Sequence, residues 1–133
     1  MIAEQIERII TLKSQQREIN AKLKQESKPT MTAINILPRM VAWLTQECQG
    51  EDESTKIRIV LFVVCAMYAP ITLTKNPLPR GLRNNIGKAF KIKGNMVSYY
   101  LNGLFLYYER YRSFRAEADR LILKLTEDFL PNT

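Results

Sequence analysis

The feature that most constrains the fold is an uninterrupted apolar run of 11 residues, 59–69, which lies between Arg58 and Pro70. It is too short to cross a bilayer, because a membrane-spanning helix needs about 20 apolar residues. Its valines and isoleucines would suit a buried strand, and periodicity alone does not decide between strand and helix. Because the run is long and no partner strand is visible elsewhere, we predict a buried helix over residues 55–68.

The residues before this run predict an N-terminal arm and a second helix. Over residues 2–26, apolar side chains recur at two heptad positions, one with Ile2, Ile9, Gln16 and Leu23 and the other with Gln5, Leu12 and Ile19. The two glutamines leave both packing on the protein's own body and self-association open. Pro29 should end the arm, and residues 32–49 should form the second helix, with Pro38 near its start or at a kink. We therefore divide the chain into an arm, 1–28, and a helical domain, 30–133.

The excess positive charge lies in one segment of the chain. There are 20 Lys and Arg against 13 Asp and Glu, a formal net charge of +7. Residues 75–115 hold nine of those bases, Lys75 among them, and one acid, Glu109, so this segment alone carries +8. Clustered bases gain affinity for nucleic acid by releasing counterions from phosphate. A nucleic-acid partner is therefore expected, although a solvated basic face would have the same composition.

Composition also argues against several classes of chemistry. The chain has no histidine, which removes histidine-based triads, imidazole acid–base catalysis and histidine metal sites. Its two cysteines, Cys48 and Cys65, lack the spacing of a zinc site and suit buried thiols in a reducing compartment. No phosphate-binding loop, calcium loop or activated nucleophile motif is visible. We expect a cytoplasmic binding protein that is not an enzyme and uses no cofactor, metal or membrane.

Within the basic segment the sequence predicts two short helices joined by a tight turn over residues 91–94. Gly87 stands where the first helix must be small, because the second helix crosses closely there. The inward positions that would lock the two helices together are Ile86, Phe90, Ile92, Val97 and Leu101. This stretch resembles the bihelical core of helix-turn-helix DNA-binding proteins, of the small phage and mobile-element type. The resemblance covers residues 80–106.

Two residues depart from the pattern of that family. The family usually has a glycine in the turn, where this chain has Lys91, because glycine adopts a left-handed conformation at low cost. It usually has Ser or Thr as the N-cap of the second helix, where this chain has Lys93. We expect Gly94 or Asn95 to serve as the cap one or two residues later.

The resemblance implies a mode of binding and a set of contact residues. The second helix would enter the major groove of double-stranded DNA. Its groove-facing residues would be Asn95, Ser98, Tyr99 and Asn102. An asparagine amide can pair with N6 and N7 of adenine, although Asn102 is equally well explained as a solvated polar residue. The bases that would hold phosphates and set the orientation are Arg80, Arg83, Lys88, Lys91 and Lys93.

Beyond this pair, heptad spacing continues towards the C-terminus. One set contains Val97, Leu104, Tyr111, Ala118 and Leu125, and a second contains Leu101, Tyr108, Arg115, Ile122 and Phe129. Five of the six tyrosines lie between Tyr99 and Tyr111, but their spacing favours core or dimer packing over stacking on single-stranded nucleic acid. A long C-terminal helix is predicted, with Gly103 or residues 110–115 as the places that would divide it.

Together these patterns predict an all-α protein of about five helices, with a helix-turn-helix core, a long C-terminal helix and a heptad-like N-terminal helix. We expect sequence-specific binding of double-stranded DNA by a homo-oligomer, formed through the N-terminal or C-terminal helices, as in a small dimeric transcriptional regulator. Two alternatives stay open. One is a DNA-packaging recognition protein resembling a phage small terminase. The other is a helical assembly or virion protein whose basic segment contacts an acidic partner or packaged genome without reading bases.

Overall fold

A computed structural model describes residues 1–50, 52–74 and 77–132 of the protein, and these ranges are all-α with no strand. The helices are α1 (Ile2–Glu26), α2 (Leu37–Glu47), α3 (Glu53–Tyr68), α4 (Arg80–Phe90), α5 (Gly94–Leu101), α6 (Leu104–Arg110) and α7 (Arg112–Lys124). Short 3-10 helices precede α2 (Ile34–Ile36) and follow α3 (Pro70–Thr74), and α7 continues into a π-helical turn, Leu125–Phe129, and a 3-10 turn, Leu130–Asn132. Lys75, part of the basic segment, lies outside the described residues.

The apolar run forms the centre of the fold as α3, so the predicted buried helix is confirmed. Nine of the 16 residues of α3 are buried, and the helix packs against α2, α5, α6 and α7. Its N-terminus is capped by Asp52, whose Oδ1 accepts a hydrogen bond from the backbone N–H of Thr55 at 2.7 Å. That hydrogen bond lowers the pKa of the Asp52 carboxyl below its usual value. A polar cap thus starts a helix that the rest of the body surrounds.

The N-terminal helix α1 stands apart from this core. None of its 25 residues is buried, and the buried core begins only at Met31. The chain joins the body just after the arm, where the backbone N–H groups of Thr30 and Met31 both donate to the carbonyl of Met67 at 3.0 Å. Packing of the arm on the protein's own body, one of the two interpretations of its heptads, is therefore wrong. The apolar stripe of α1 faces solvent.

Polar contacts tie the C-terminal end of α2 to α7. The ammonium of Lys124 lies 2.6 Å from Oε2 of Glu47, and Arg120 donates to the backbone carbonyl of Glu47 at 2.8 Å. Arg120 also pairs with Glu117 at 2.7 Å, and this contact lowers the pKa of the Glu117 carboxyl. Pro38 lies in the first turn of α2, so it marks the start of the helix and produces no kink.

The C-terminal half is divided at both of the predicted places. Gly103, between α5 and α6, has a φ of +77°, a conformation that glycine adopts without steric strain. Tyr111, between α6 and α7, is extended, with φ −106° and ψ 109°. Each break redirects the chain so that the heptad positions still reach the core. The buried members are Val97, Leu104, Ala118 and Leu125, whereas Tyr111, at a break, is exposed.

The leucines of α7 provide a matched test of this packing. Leu121 is 0% exposed and Leu123 is 59% exposed. Leu121→Ala should lower the free energy of unfolding by about 3 kcal/mol, because it removes buried apolar contacts and leaves a cavity. Leu123→Ala should change it by less than about 0.5 kcal/mol. Urea unfolding followed by circular dichroism measures both, and equal losses in the two variants would contradict the orientation of α7.

Candidate nucleic-acid interface

The turn between α4 and α5 has the left-handed residue that the family's pattern requires, but the residue is a lysine. Lys91 has φ 58° and ψ 42°, and it is the one non-glycine residue of positive φ in the described part of the chain. The N–H of Ile92 donates to the carbonyl of Gly87 at 2.9 Å, and the N–H of Lys91 donates to the carbonyl of Lys88 at 3.2 Å. These two bonds form a Schellman motif, which ends α4 and turns the chain towards α5.

Gly87 allows this turn to close against α4. A Cβ atom at Gly87 would lie 3.1 Å from the carbonyl oxygen of Ile92 and 3.6 Å from Cγ2 of Val97. A small residue is therefore needed there, as predicted, although the nearest atom belongs to the turn rather than to the second helix. Of the five inward positions, Ile86 and Val97 are fully buried. The other three, Phe90, Ile92 and Leu101, are half-buried and pack against the core.

The second helix begins where the sequence predicts, near Gly94 or Asn95, but its N-terminus is capped differently. The helix begins at Gly94 with Lys93 as its N-cap, and no side chain caps it. The prediction that Gly94 or Asn95 would be the cap is therefore wrong. Instead, the guanidinium of Arg83 on α4 donates from Nη2 to the carbonyl of Gly94 at 3.1 Å. This bond links the first turn of α5 to α4, so Arg83 supports the geometry of the pair.

The predicted base-reading residues lie on the solvent side of α5. Asn95, Ser98 and Tyr99 are all exposed, and their spacing of three and four residues places them on one face of the helix. Val97, which lies between them in sequence, points into the core with 0% exposure. Asn102 is exposed too, but it follows the last helical residue and has an extended backbone, with φ −63° and ψ 118°. The structure thus groups three of the four residues on α5 and leaves Asn102 at its end.

Most of the predicted phosphate-contacting bases surround a shallow concavity of about 440 Å³ beside the turn. Arg83, Lys88, Lys91 and Lys93 line it, and no acidic residue is among the lining residues that the structure describes. Arg80, exposed at the first position of α4, does not line it. Four positive charges at one concave surface create a local potential that attracts anions.

Two exposed residues at this surface were not among the contact residues predicted from the motif. Met96 lies in the first turn of α5 and is 37% exposed, and Asn84 of α4 lines the basic concavity. Helical periodicity could have identified Met96, because its position lies about 100° around α5 from the buried Val97 and so flanks the buried side. Nothing local in the sequence indicates Asn84, because its position depends on how α4 and α5 cross.

The cysteines carry no activated thiol. Both are free and buried, and burial raises the pKa of the Cys65 thiol to about 12, so this thiol stays protonated at neutral pH. In the ranges that the structure describes, there is no group of three or more metal-ligating side chains. None of the helices described is both long and apolar enough to cross a membrane.

Replacing the left-handed lysine tests the geometry of the turn. Lys91→Gly should raise the free energy of unfolding by about 0.5–1 kcal/mol, because a left-handed conformation is strained for any residue with a Cβ. The same substitution at Lys88, three positions earlier and inside α4, should lower it by about 0.5–1 kcal/mol, since glycine weakens a helix. Urea unfolding compares the two variants. Destabilisation by both would contradict the left-handed turn at Lys91.

Comparisons with known proteins leave the function to be argued from this geometry. No protein-family model, curated protein or solved structure matches the chain. Three features of the structure bear on function: the exposed polar face of α5, the basic concavity at the turn before it and the solvent-facing stripe of α1.

Proposed function

We propose that the protein binds double-stranded DNA in a sequence-specific manner, with α5 in the major groove. One observation carries this proposal: α5 exposes Asn95, Ser98 and Tyr99, and its first residue, Gly94, belongs to the concavity lined by four basic residues. Binding proteins that read DNA need both parts, because phosphate contacts position the protein and base contacts specify the sequence. Binding, rather than catalysis, is the activity that this surface supports.

The dimensions of α5 suit this role. A helix of eight residues is about 12 Å long, and the major groove is about 12 Å wide and admits a helix. With the N-terminal turn of α5 towards the DNA bases, Asn95 and Tyr99 would contact the edges of those bases. The lysines of the turn, Lys91 and Lys93, would then lie beside the sugar–phosphate backbone, as in helix-turn-helix proteins.

The same proposal includes a homo-oligomer formed through α1. On α7 the core-facing apolar residues, Phe114, Ala118 and Leu121, are buried inside the body. The stripe of α1 has no such cover, and a helix without tertiary packing is only marginally stable in water. Pairing of α1 with its copy would bury the stripe and place two copies of α5 on one duplex.

We infer that such a protein acts as a small transcriptional regulator in the cytoplasm, where thiols stay reduced as Cys48 and Cys65 are here. A DNA-packaging protein of the small-terminase type would use the same DNA-binding surface in a larger ring. A virion protein would not need base readout. The number of subunits in the assembly distinguishes the regulator from the packaging protein. A preference for particular DNA sequences distinguishes both of them from the virion protein.

DNA binding should weaken steeply with salt and should depend on two classes of residue in different ways. Asn95→Ala or Tyr99→Ala should relax sequence preference, each by roughly 1–3 kcal/mol at the bases contacted. Lys88→Ala or Lys91→Ala should weaken binding to all sequences alike and reduce the salt slope by about 1. Fluorescence anisotropy on a duplex selected from a random pool, and on a scrambled duplex, measures both effects.

The matched control for this experiment is Lys24→Ala, an exposed lysine of the last turn of α1. It removes the same charge away from the proposed surface and should leave both affinities close to those of the parent. If the Asn95→Ala and Tyr99→Ala proteins bind every duplex with the parent's affinity, base readout is refuted. If the parent protein binds the selected and the scrambled duplex with the same affinity, the result favours the assembly interpretation.

Self-association should depend on the stripe of α1 and not on its other faces. Leu12→Asp combined with Ile19→Asp should give a monomer of 15.5 kDa, because it places charges in the apolar seam. Ile10→Asp, at a residue that is 61% exposed and off the stripe, should leave the oligomer intact. Light scattering after gel filtration measures the mass, and unfolding of the body should be unchanged in both variants.

Salt gives a second check on the same interface. Arg8, Lys13 and Lys22 flank the two heptad positions of the stripe, so like charges approach each other when identical copies pair. Screening of that repulsion should strengthen self-association as salt increases, the reverse of the expected effect on DNA binding. A parent protein that stays monomeric at every salt and protein concentration would contradict pairing through α1.

A further inference from the structure

Arg58 of α3 lies among three tyrosines of α5 and α6. The guanidinium carbon of Arg58 is 5.7 Å from the ring centroid of Tyr99, 5.2 Å from that of Tyr100 and 5.3 Å from that of Tyr107. Tyr99 and Tyr100 belong to α5, and Tyr107 belongs to α6. All three distances are within the range of about 6 Å at which a cation is attracted to a ring face.

Arg58 is itself held in place. Its Nη1 donates to the hydroxyl of Ser54, one turn earlier on α3, at 3.0 Å. Its Nε is buried without a hydrogen-bond partner, and the faces of the three rings lie next to this charge. Tyr107 is anchored to the core through Phe114, with ring centroids 5.6 Å apart. The contacts therefore run from the core, through Arg58, to the exposed helix.

Tyr99 shows what this arrangement accomplishes. Its side chain is 59% exposed, and an exposed aromatic side chain would ordinarily sample several rotamers. Here its ring contacts Arg58 on one side and meets the Tyr100 ring nearly edge-on, with centroids 5.3 Å apart and an interplanar angle of 75°. Two contacts from different directions restrict the orientation of a side chain that we place against base edges.

We propose that Arg58 is a positioning residue for base readout, which holds Tyr99 and the last turn of α5 in the geometry that contacts DNA. This inference rests on the proposed function. In the proposed complex, Arg58 itself does not contact a DNA base. It acts by reducing the rotamer freedom that Tyr99 would lose on binding, and preorganisation of this kind raises affinity for the correct partner. A sequence-independent phosphate contact does not depend on the orientation of Tyr99.

The test compares Arg58→Met with Arg115→Met. Arg115 makes the same kind of contact, with its guanidinium carbon 4.9 Å from the Tyr108 ring centroid, but Arg115 belongs to α7 and Tyr108 to α6, so neither is a residue of α5. The two variants lose the same charge and one arginine–tyrosine site each. Arg58→Lys is a third variant, which keeps a cation but loses the planar group that stacks on rings.

The first measurement is the ratio of dissociation constants for a scrambled and a selected duplex. Arg58→Met should reduce this ratio roughly 3- to 30-fold, with the salt slope on the scrambled duplex close to that of Arg115→Met. Arg58→Lys should recover part of the ratio, and Arg115→Met should weaken both duplexes alike. A ratio that stays at the parent's value in folded Arg58→Met overturns the inference and leaves the proposed function intact.

The second measurement needs no DNA. In NMR spectra of the free protein, ring-proton shifts of Tyr99 and Tyr100 should move towards random-coil values in Arg58→Met. Those of Tyr108, whose ring stacks on Phe62 at 4.6 Å, should stay unchanged. Unchanged ring-proton shifts of Tyr99 in Arg58→Met overturn the inference on their own. If Arg58→Met does not fold, the inference is overturned when Arg58→Lys keeps the parent's ratio of dissociation constants. A parent without any duplex preference overturns the proposed function, and the role in readout with it.

Discussion

The burial of α3 is the constraint on which the rest of the structure depends. Its run of apolar side chains from Ile59 to Cys65 has almost no exposed surface, so other helices must cover it on several sides. α2, α5, α6 and α7 do so, and α5 takes part by directing Val97 inwards. An amphipathic helix that covers a core on one side presents its polar side to solvent. The outward face of Asn95, Ser98 and Tyr99 is therefore a consequence of how α3 is covered.

The turn between α4 and α5 shows conformational strain and charge at the same residue. Lys91 adopts the left-handed conformation that costs a residue with a Cβ about 1 kcal/mol relative to glycine. The same lysine lines the basic concavity with Arg83, Lys88 and Lys93. Strained residues of this kind persist where surrounding structure fixes them, here through the two hydrogen bonds of the Schellman motif. A glycine would relieve the strain and remove a positive charge from the surface proposed to face phosphate, so stability and binding oppose each other at this position.

The two proposed functions, self-association and DNA binding, belong to different parts of the chain, the arm α1 and the helical body. The body buries the apolar run of α3 internally, whereas α1 leaves Ile9, Leu12 and Ile19 exposed. An apolar stripe of this kind is typical of helices that pair. In the proposed function, the basic residues that flank the stripe would weaken pairing of identical copies at low salt, and those beside α5 would strengthen contact with phosphate under the same conditions. Assembly and DNA binding would then respond to ionic strength in opposite directions.

The sequence by itself determined the helical class, the central buried segment, the extent of the arm and the inward residues of the α4–α5 pair, because these follow from local periodicity, proline positions and apolar run length. It also indicated both breaks of the C-terminal half, at Gly103 and near Tyr111. Only the tertiary structure decided that the arm is unpacked, that no side chain caps the N-terminus of α5, and that Arg83 bonds to the Gly94 carbonyl. It alone brought Arg58 of α3 to the tyrosines of α5 and α6. Contacts between residues some 40 positions apart depend on how helices cross, and no local pattern encodes a crossing.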